Sequence, residues 1–190
     1  MITIDVNNRL LEKAEEDLKY IPKAVPKAVS AALNRTAEMA KTEITRKVRD
    51  QYYIRAKDVN ETLKIRKASV SNLQSIVRST GRRRELIMFR VSPNTPRHKN
   101  PPSILRVAVK KDGYKGIDGA FVARGASSGE LHALRRTDKS RYPIHIKYGP
   151  SVPQMIDDEE VVEYINQYAN EKFEERIEHE VDRILRGIGG

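Results

Sequence analysis

Arginine is the chemically active residue type that this sequence gathers into clusters. Arg82, Arg83 and Arg84 follow Gly81 directly. Arg135 and Arg136 are trailed by Lys139 and Arg141, and Arg97 and Lys99 decorate a proline-rich stretch. A guanidinium stays charged at physiological pH, and its planar fork bonds a phosphate or a carboxylate through two parallel donors. These residues are therefore the candidate contacts to nucleic acid or to an acidic partner. Aromatic residues do not interleave with them as a single-strand stacking platform requires. No helix-turn-helix or zinc-finger spacing is present. Any DNA contact is expected to be with the backbone, non-specific and strongly salt-dependent.

The other reactive types fail on spacing. His98, His132, His145 and His179 are scattered, and the chain has no cysteine, so no ligand set for a metal emerges. Asp157, Asp158, Glu159 and Glu160 are consecutive, which suits the positive end of a helix dipole better than a cation. Gly113, Gly116, Gly119, Gly125 and Gly129 lack the Lys-Ser/Thr of a phosphate loop and the dinucleotide spacing, and read as turn residues. Ser127-Ser128-Gly129 lacks the nucleophile-elbow pattern. The sequence points to no enzyme, no metal and no cofactor.

Periodicity supplies the elements that must position the arginines. Val6, Leu10, Leu11, Ala14 and Leu18 predict a helix over 4–20, ended by Pro22. Val25, Val29, Leu33, Ala37, Ala40, Ile44 and Val48 predict a second over 25–50, lined with alanines that allow close approach. A short third helix is expected over 57–67. From residue 70 to 149 the period changes to two, with strands expected near 73–79, 85–91, 104–110, 120–124, 131–136 and 144–148. Thr80-Gly81 reads as a hairpin tip carrying the arginine triplet, and 92–103 as a proline-rich loop that orders on docking. Pro143 and Pro150 put the last strand at a sheet edge.

These elements make an α+β fold. Its N-terminal helices pack on a twisted antiparallel sheet, in one domain over 1–155, and a long amphipathic helix follows over 156–190. The apolar stripe of that helix includes Ile165, Phe173, Ile177, Val181 and Ile184. Its length exceeds what one small sheet covers, so these five are the candidate subunit contacts.

Charge is segregated along the chain. Residues 1–40 balance, 41–150 hold 26 Lys/Arg against 9 Asp/Glu, and 151–190 hold 4 against 11, within a formal net charge of +10. Such a pattern suits subunits that present opposite signs to their neighbours, or a basic lining that faces nucleic acid. No charged-then-apolar leader opens the sequence and its apolar runs are only a few residues long, so neither a secretory signal nor a membrane span is expected. The expected setting is the cytosol.

Two blocks carry a family resemblance. Residues 119–155 read GAFVARGASSGELHALRRTDKSRYPIHIKYGPSVPQM, with Gly-Ala-Phe, an Arg-Arg pair and Arg-Tyr-Pro-Ile in that order. Residues 24–60 place Leu33-Asn34-Arg35 on a small-residue helix ahead of an Ile-Arg-Ala-Lys-Asp-Val turn. Together the blocks resemble the minor tail protein Z family of tailed bacteriophages and prophages. The resemblance implies a structural virion protein without catalysis, which completes the tail at its head-proximal end and takes part in the head-tail joint. It further implies a ring of copies, a hexamer, around the DNA path, assembled in the host cytoplasm. Its implied neighbours are the tail terminator, tail tube and head connector proteins. The alternative is a free, non-specific nucleic-acid-binding protein. Against that stands the acidic last helix, which repels phosphate if it lies beside the basic face.

Overall fold

The computed structural model describes residues 2–4, 8–21, 23–97, 103–125, 128–138, 140 and 142–187, with backbone alone for 2–4 and 8–11. Lys99, Lys139, Arg141, His98 and part of the 92–103 loop lie outside the described residues. The architecture is mixed α+β, with antiparallel pairing throughout and a long C-terminal helix.

The helical layer is built on α2 (Ala24–Gln51), with α1 (Asn8–Leu18) before it and α5 (Glu159–Arg186) packed along it. Both α2 and α5 have 28 residues, or about 42 Å of helix. They run antiparallel: Gln51 near the end of α2 donates to Glu160 at the start of α5. The buried side chains of α5 are Val161, Ile165, Ala169, Phe173, Ile177 and Val181. Steps of four residues overshoot a full turn, so this stripe winds slowly around the helix and meets successive neighbours. Those neighbours include α2, α1 and α4 (Val152–Ile156). On α2 the alanines Ala28, Ala32, Ala37 and Ala40 are fully buried and let the axes approach.

Four of the five expected subunit contacts lie in the core of the single chain. Ile165, Phe173, Ile177 and Val181 are buried within this chain's own core, leaving only Ile184 partly exposed. They face inward because α5 lies along α2 and α1. The core is continuous across residue 155, and the last helix belongs to it.

In place of one sheet there are four small ones. β3 (Ser75–Ser79) lies between β1 (Ile2–Ile4) and β2 (Leu63–Arg66), and this sheet packs on α2. β6 (Ile104–Ala108) lies between β5 (Arg90–Ser92) and β7 (Lys115–Asp118). β9 (Leu131–Arg136) lies between β8 (Ala120–Arg124) and the edge strand β10 (Ile144–Ile146). β4 (Arg83–Glu85) pairs with β11 (Tyr148–Ser151).

Several element expectations change accordingly. The helix expected over 57–67 is only α3 (Ala56–Asn60), because β-branched Ile65 and its neighbours pair with β3 as strand β2. The strand expected over 85–91 breaks at a 3-10 turn, Leu86–Met88, which buries both Leu86 and Phe89. The strand over 144–148 divides at Lys147, whose amide bonds Ala133 while its carbonyl accepts from Leu86. The 80–84 segment is not a hairpin tip, since β3 and β4 belong to different sheets. β1 and β7 were not anticipated.

Polar contacts explain the residues of the 24–60 block. The Asn34 amide bonds the Ala68 backbone twice, donating to its carbonyl at 3.0 Å and accepting from its N–H at 2.7 Å. Asp58 accepts from Arg55 at 2.7 Å and so closes the turn at 54–59. Asp158 ties α5 to the sheet, accepting from Lys110 at 2.6 Å and from the Tyr52 hydroxyl at 2.9 Å. Burial first, then that bond to Asp158, pushes the Tyr52 hydroxyl up to about 12, so it remains a donor.

Candidate functional site

Two surfaces of opposite sign stand out, and neither is contiguous in sequence. The basic one forms on the sheet of β5, β6 and β7. Along β5, Val91 points into the core while Arg90 and Ser92 point out; along β6, Leu105 and Val107 are buried while Ile104 and Arg106 are exposed. The register pairs Arg90 with Ala108 and Ser92 with Arg106. Arg90 and Arg106 are therefore diagonal neighbours on one face.

Arg90 lies between two tyrosines. Its guanidinium carbon is 5.4 Å from the Tyr53 ring centre and 5.9 Å from that of Tyr114, and it donates to the Tyr53 hydroxyl at 3.2 Å. That hydrogen bond, followed by the charge of Tyr114, raises the Arg90 pKa above its ordinary value. Tyr53 is positioned because the end of α2 is stitched to the segment that follows β6: Tyr53 N–H donates to Val109 and Lys111 N–H to Gln51. The cleft at Arg90 has a volume of about 820 Å3 and is lined by Arg97, Arg106, Ser92, Asn94 and Tyr114 among others, with no carboxylate among the described residues. An adjoining groove shares Arg90 and adds Arg49, Arg55 and Lys111.

The acidic surface is formed by α1 and α5. Between them runs a groove of about 270 Å3 with Ala14, Ile177 and Val181 as its floor and Asp17, Glu178 and Asp182 on its rim. Lys13 crosses it to Glu178 at 2.9 Å. Glu174 and Glu175 continue the acidic face on exposed positions of α5.

The sequence-derived candidates scatter across the molecule. Arg82 is exposed, Arg83 donates to the Gly149 carbonyl at 3.3 Å, and Arg84 turns inward to Asp58. Arg135 and Arg136 alternate along β9, so their side chains leave opposite faces. The Arg136 guanidinium stacks on Phe121 at 5.0 Å. Among the described candidates, only Arg97 joins the cleft at Arg90. Reading the chain linearly missed Tyr53, Arg90, Arg106 and Tyr114. The alternation Arg90-Val91-Ser92 and Leu105-Arg106-Val107 marked both arginines as outward-facing; their pairing across the 92–103 loop is tertiary.

No group of three or more His, Asp or Glu able to hold a metal occurs among the described residues. His132 instead lies 2.7 Å from the Glu85 carboxylate. No helix among them is long and apolar enough to cross a membrane. What the geometry offers is a helix pair joined to small sheets, with interaction surfaces of opposite charge, the makings of an assembly component.

The comparisons agree with that class. The family described as prophage minor tail protein Z (GPZ) matches residues 9–188. The chain is 30% identical over 142 residues to the tail completion protein of Escherichia phage N15, covering 72% of this chain and 74% of that protein. It is 29% identical over 147 residues to tail completion protein Z of Escherichia phage lambda, covering 72% and 75%. No solved structure matches. The chain belongs to the prophage minor tail protein Z family, and the match takes in α5 with its acidic face.

Proposed function

We propose that this chain is a structural virion protein that completes the phage tail. The observation that carries the reading is the likeness to two tail completion proteins over 72% of the chain. In the finer form of the proposal, several copies form a ring, a hexamer, at the head-proximal end of the tail and take part in the head-tail joint around the DNA path. The tail terminator, tail tube and head connector proteins are its neighbours, and assembly takes place in the host cytoplasm. Opposite charges on separate faces support a part that docks in one orientation, because charge complementarity sets register and encounter rate. No step of this role calls for catalysis.

The test is the position of the protein on particles. A tagged copy is expressed from the phage or prophage that carries the gene, and particles are imaged by negative-stain electron microscopy with gold label. Label confined to the head-tail junction is the expected result. Good expression with no label on particles, and normal particles without the gene, overturns the reading. Free non-specific nucleic-acid binding through the arginine-lined cleft then takes its place.

A further inference from the structure

We propose that the cleft around Arg90 and Arg106 docks onto the groove between α1 and α5 of a second copy of this chain, in a head-to-tail contact. The proposal rests on the reading that copies of the chain assemble with one another, and it names the surfaces that meet. Three observations carry it. The signs are complementary: among the described residues the cleft is lined by Arg90, Arg97 and Arg106 without a carboxylate, whereas the groove is rimmed by Asp17, Glu178 and Asp182 against the single cation Lys13. Ile104 and Tyr114 also stand out from the basic face, each 46% exposed, and leave apolar area beside the arginines that a protein partner covers. A contact with an apolar centre and a charged rim is the usual anatomy of a specific interface.

The third observation is distance. Asp158 anchors the start of α5 to Lys110 at the sheet, while Glu178 lies twenty residues further on, about 30 Å along the helix. The groove and the cleft of one molecule are thus held apart by a helix, so the cleft that can reach the groove belongs to a second copy. Such a contact is heterologous, so a pair still keeps one free cleft and one free groove, and the series closes into a ring if the rotation permits. A phosphate backbone satisfies the arginines but gives Ile104 and Tyr114 no apolar partner, and it leaves the acidic groove empty.

The experiment is sedimentation velocity on the purified chain over a range of concentration and salt, with binding to fluorescent duplex DNA measured in parallel. Wild type is expected to associate at roughly 50 mM salt and to dissociate towards monomer near 500 mM, as the screening length shortens to a few ångströms. Arg90→Glu with Arg106→Glu should weaken association at least about tenfold, and Glu178→Lys with Asp182→Lys should do the same. An equimolar mixture of the two double variants should regain association, because the reversed signs match again. Arg97→Glu with Arg106→Glu, which spares the tyrosine stack on Arg90, should also weaken it, and guards against misfolding as the cause. A chain that is monomeric throughout overturns the proposal, as does association indifferent to these substitutions. Loss of duplex binding in the Arg90/Arg106 variant with association unchanged assigns the cleft to nucleic acid instead. Association through another surface sinks this contact and leaves the assembly reading intact; only absence from particles sinks that.

Discussion

Arg84 turns inward onto Asp58, with its guanidinium 3.4 Å from the carboxylate and a hydrogen bond of 3.0 Å to the Asp58 carbonyl. This one contact separates three consecutive arginines into two roles. Arg82 is solvated, whereas Arg84 joins β4 to the turn at 54–59, where Arg55 binds the same carboxylate. Replacing Arg84 with Ala removes one of two cations from a buried carboxylate and should cost about 1–3 kcal/mol. Arg82→Ala should stay within about 0.5 kcal/mol. Urea unfolding of both variants measures the difference, and equal costs would show that the triplet acts as one surface cluster.

Asn34 makes the second single-residue prediction. Its side chain satisfies both the N–H and the carbonyl of Ala68, which leads from β2 into the 69–74 turn. Asn34→Ala leaves two backbone groups unpaired in a part-buried site and should cost about 2–3 kcal/mol. Asn34→Asp keeps the acceptor but loses the donor, so it should fall between the two. Hydrogen exchange at the Ala68 amide reports the loss directly.

Phe173 tests whether α5 is core or interface. With 2% of its surface exposed in the isolated chain, Phe173→Ala should destabilise the monomer by about 3–5 kcal/mol. Leu185, 43% exposed, should tolerate alanine within about 0.5 kcal/mol. A Phe173→Ala chain with unchanged stability but impaired self-association would return that residue to a neighbouring subunit.

Acid should weaken the fold through three carboxylates. Hydrogen bonds from Arg46, Arg55 and Lys110 hold Glu43, Asp58 and Asp158 below their ordinary values of 4.5, 3.8 and 3.8. In that window the unfolded chain binds more protons than the folded one. The stabilisation is therefore complete above the ordinary carboxylate range and is lost as pH falls through the depressed values. Urea midpoints should be flat from about pH 6 to 8 and should drop by an amount worth about 1–3 kcal/mol in total below about pH 4.5. Glu43→Gln should remove part of that slope, since it no longer titrates between Arg46 and the Tyr164 hydroxyl.

Much of the fold was legible because it is encoded locally. Strands β8 and β9 follow from a period of two, and α2 and α5 from apolar steps of four. The edge position of β10 follows from Pro143, which lacks a donor for a further ladder. The candidate surfaces were less legible. Arg97 was identified from its loop, yet the residues that make it part of a cleft come from the end of α2, from β5, from β6 and from the turn before β7.

By itself the sequence determined the family, the segregation of charge and the helices with their apolar faces, since each is written in composition or in short periodicity. Only the tertiary structure decided which surfaces are left over. Whether Arg84 projects or pairs depends on Asp58 across 26 positions, and whether Phe173 meets a neighbour or the core depends on where α1 and α2 lie. Those outcomes are set by long-range packing, in which burying apolar area and satisfying each buried polar group outweigh local preference.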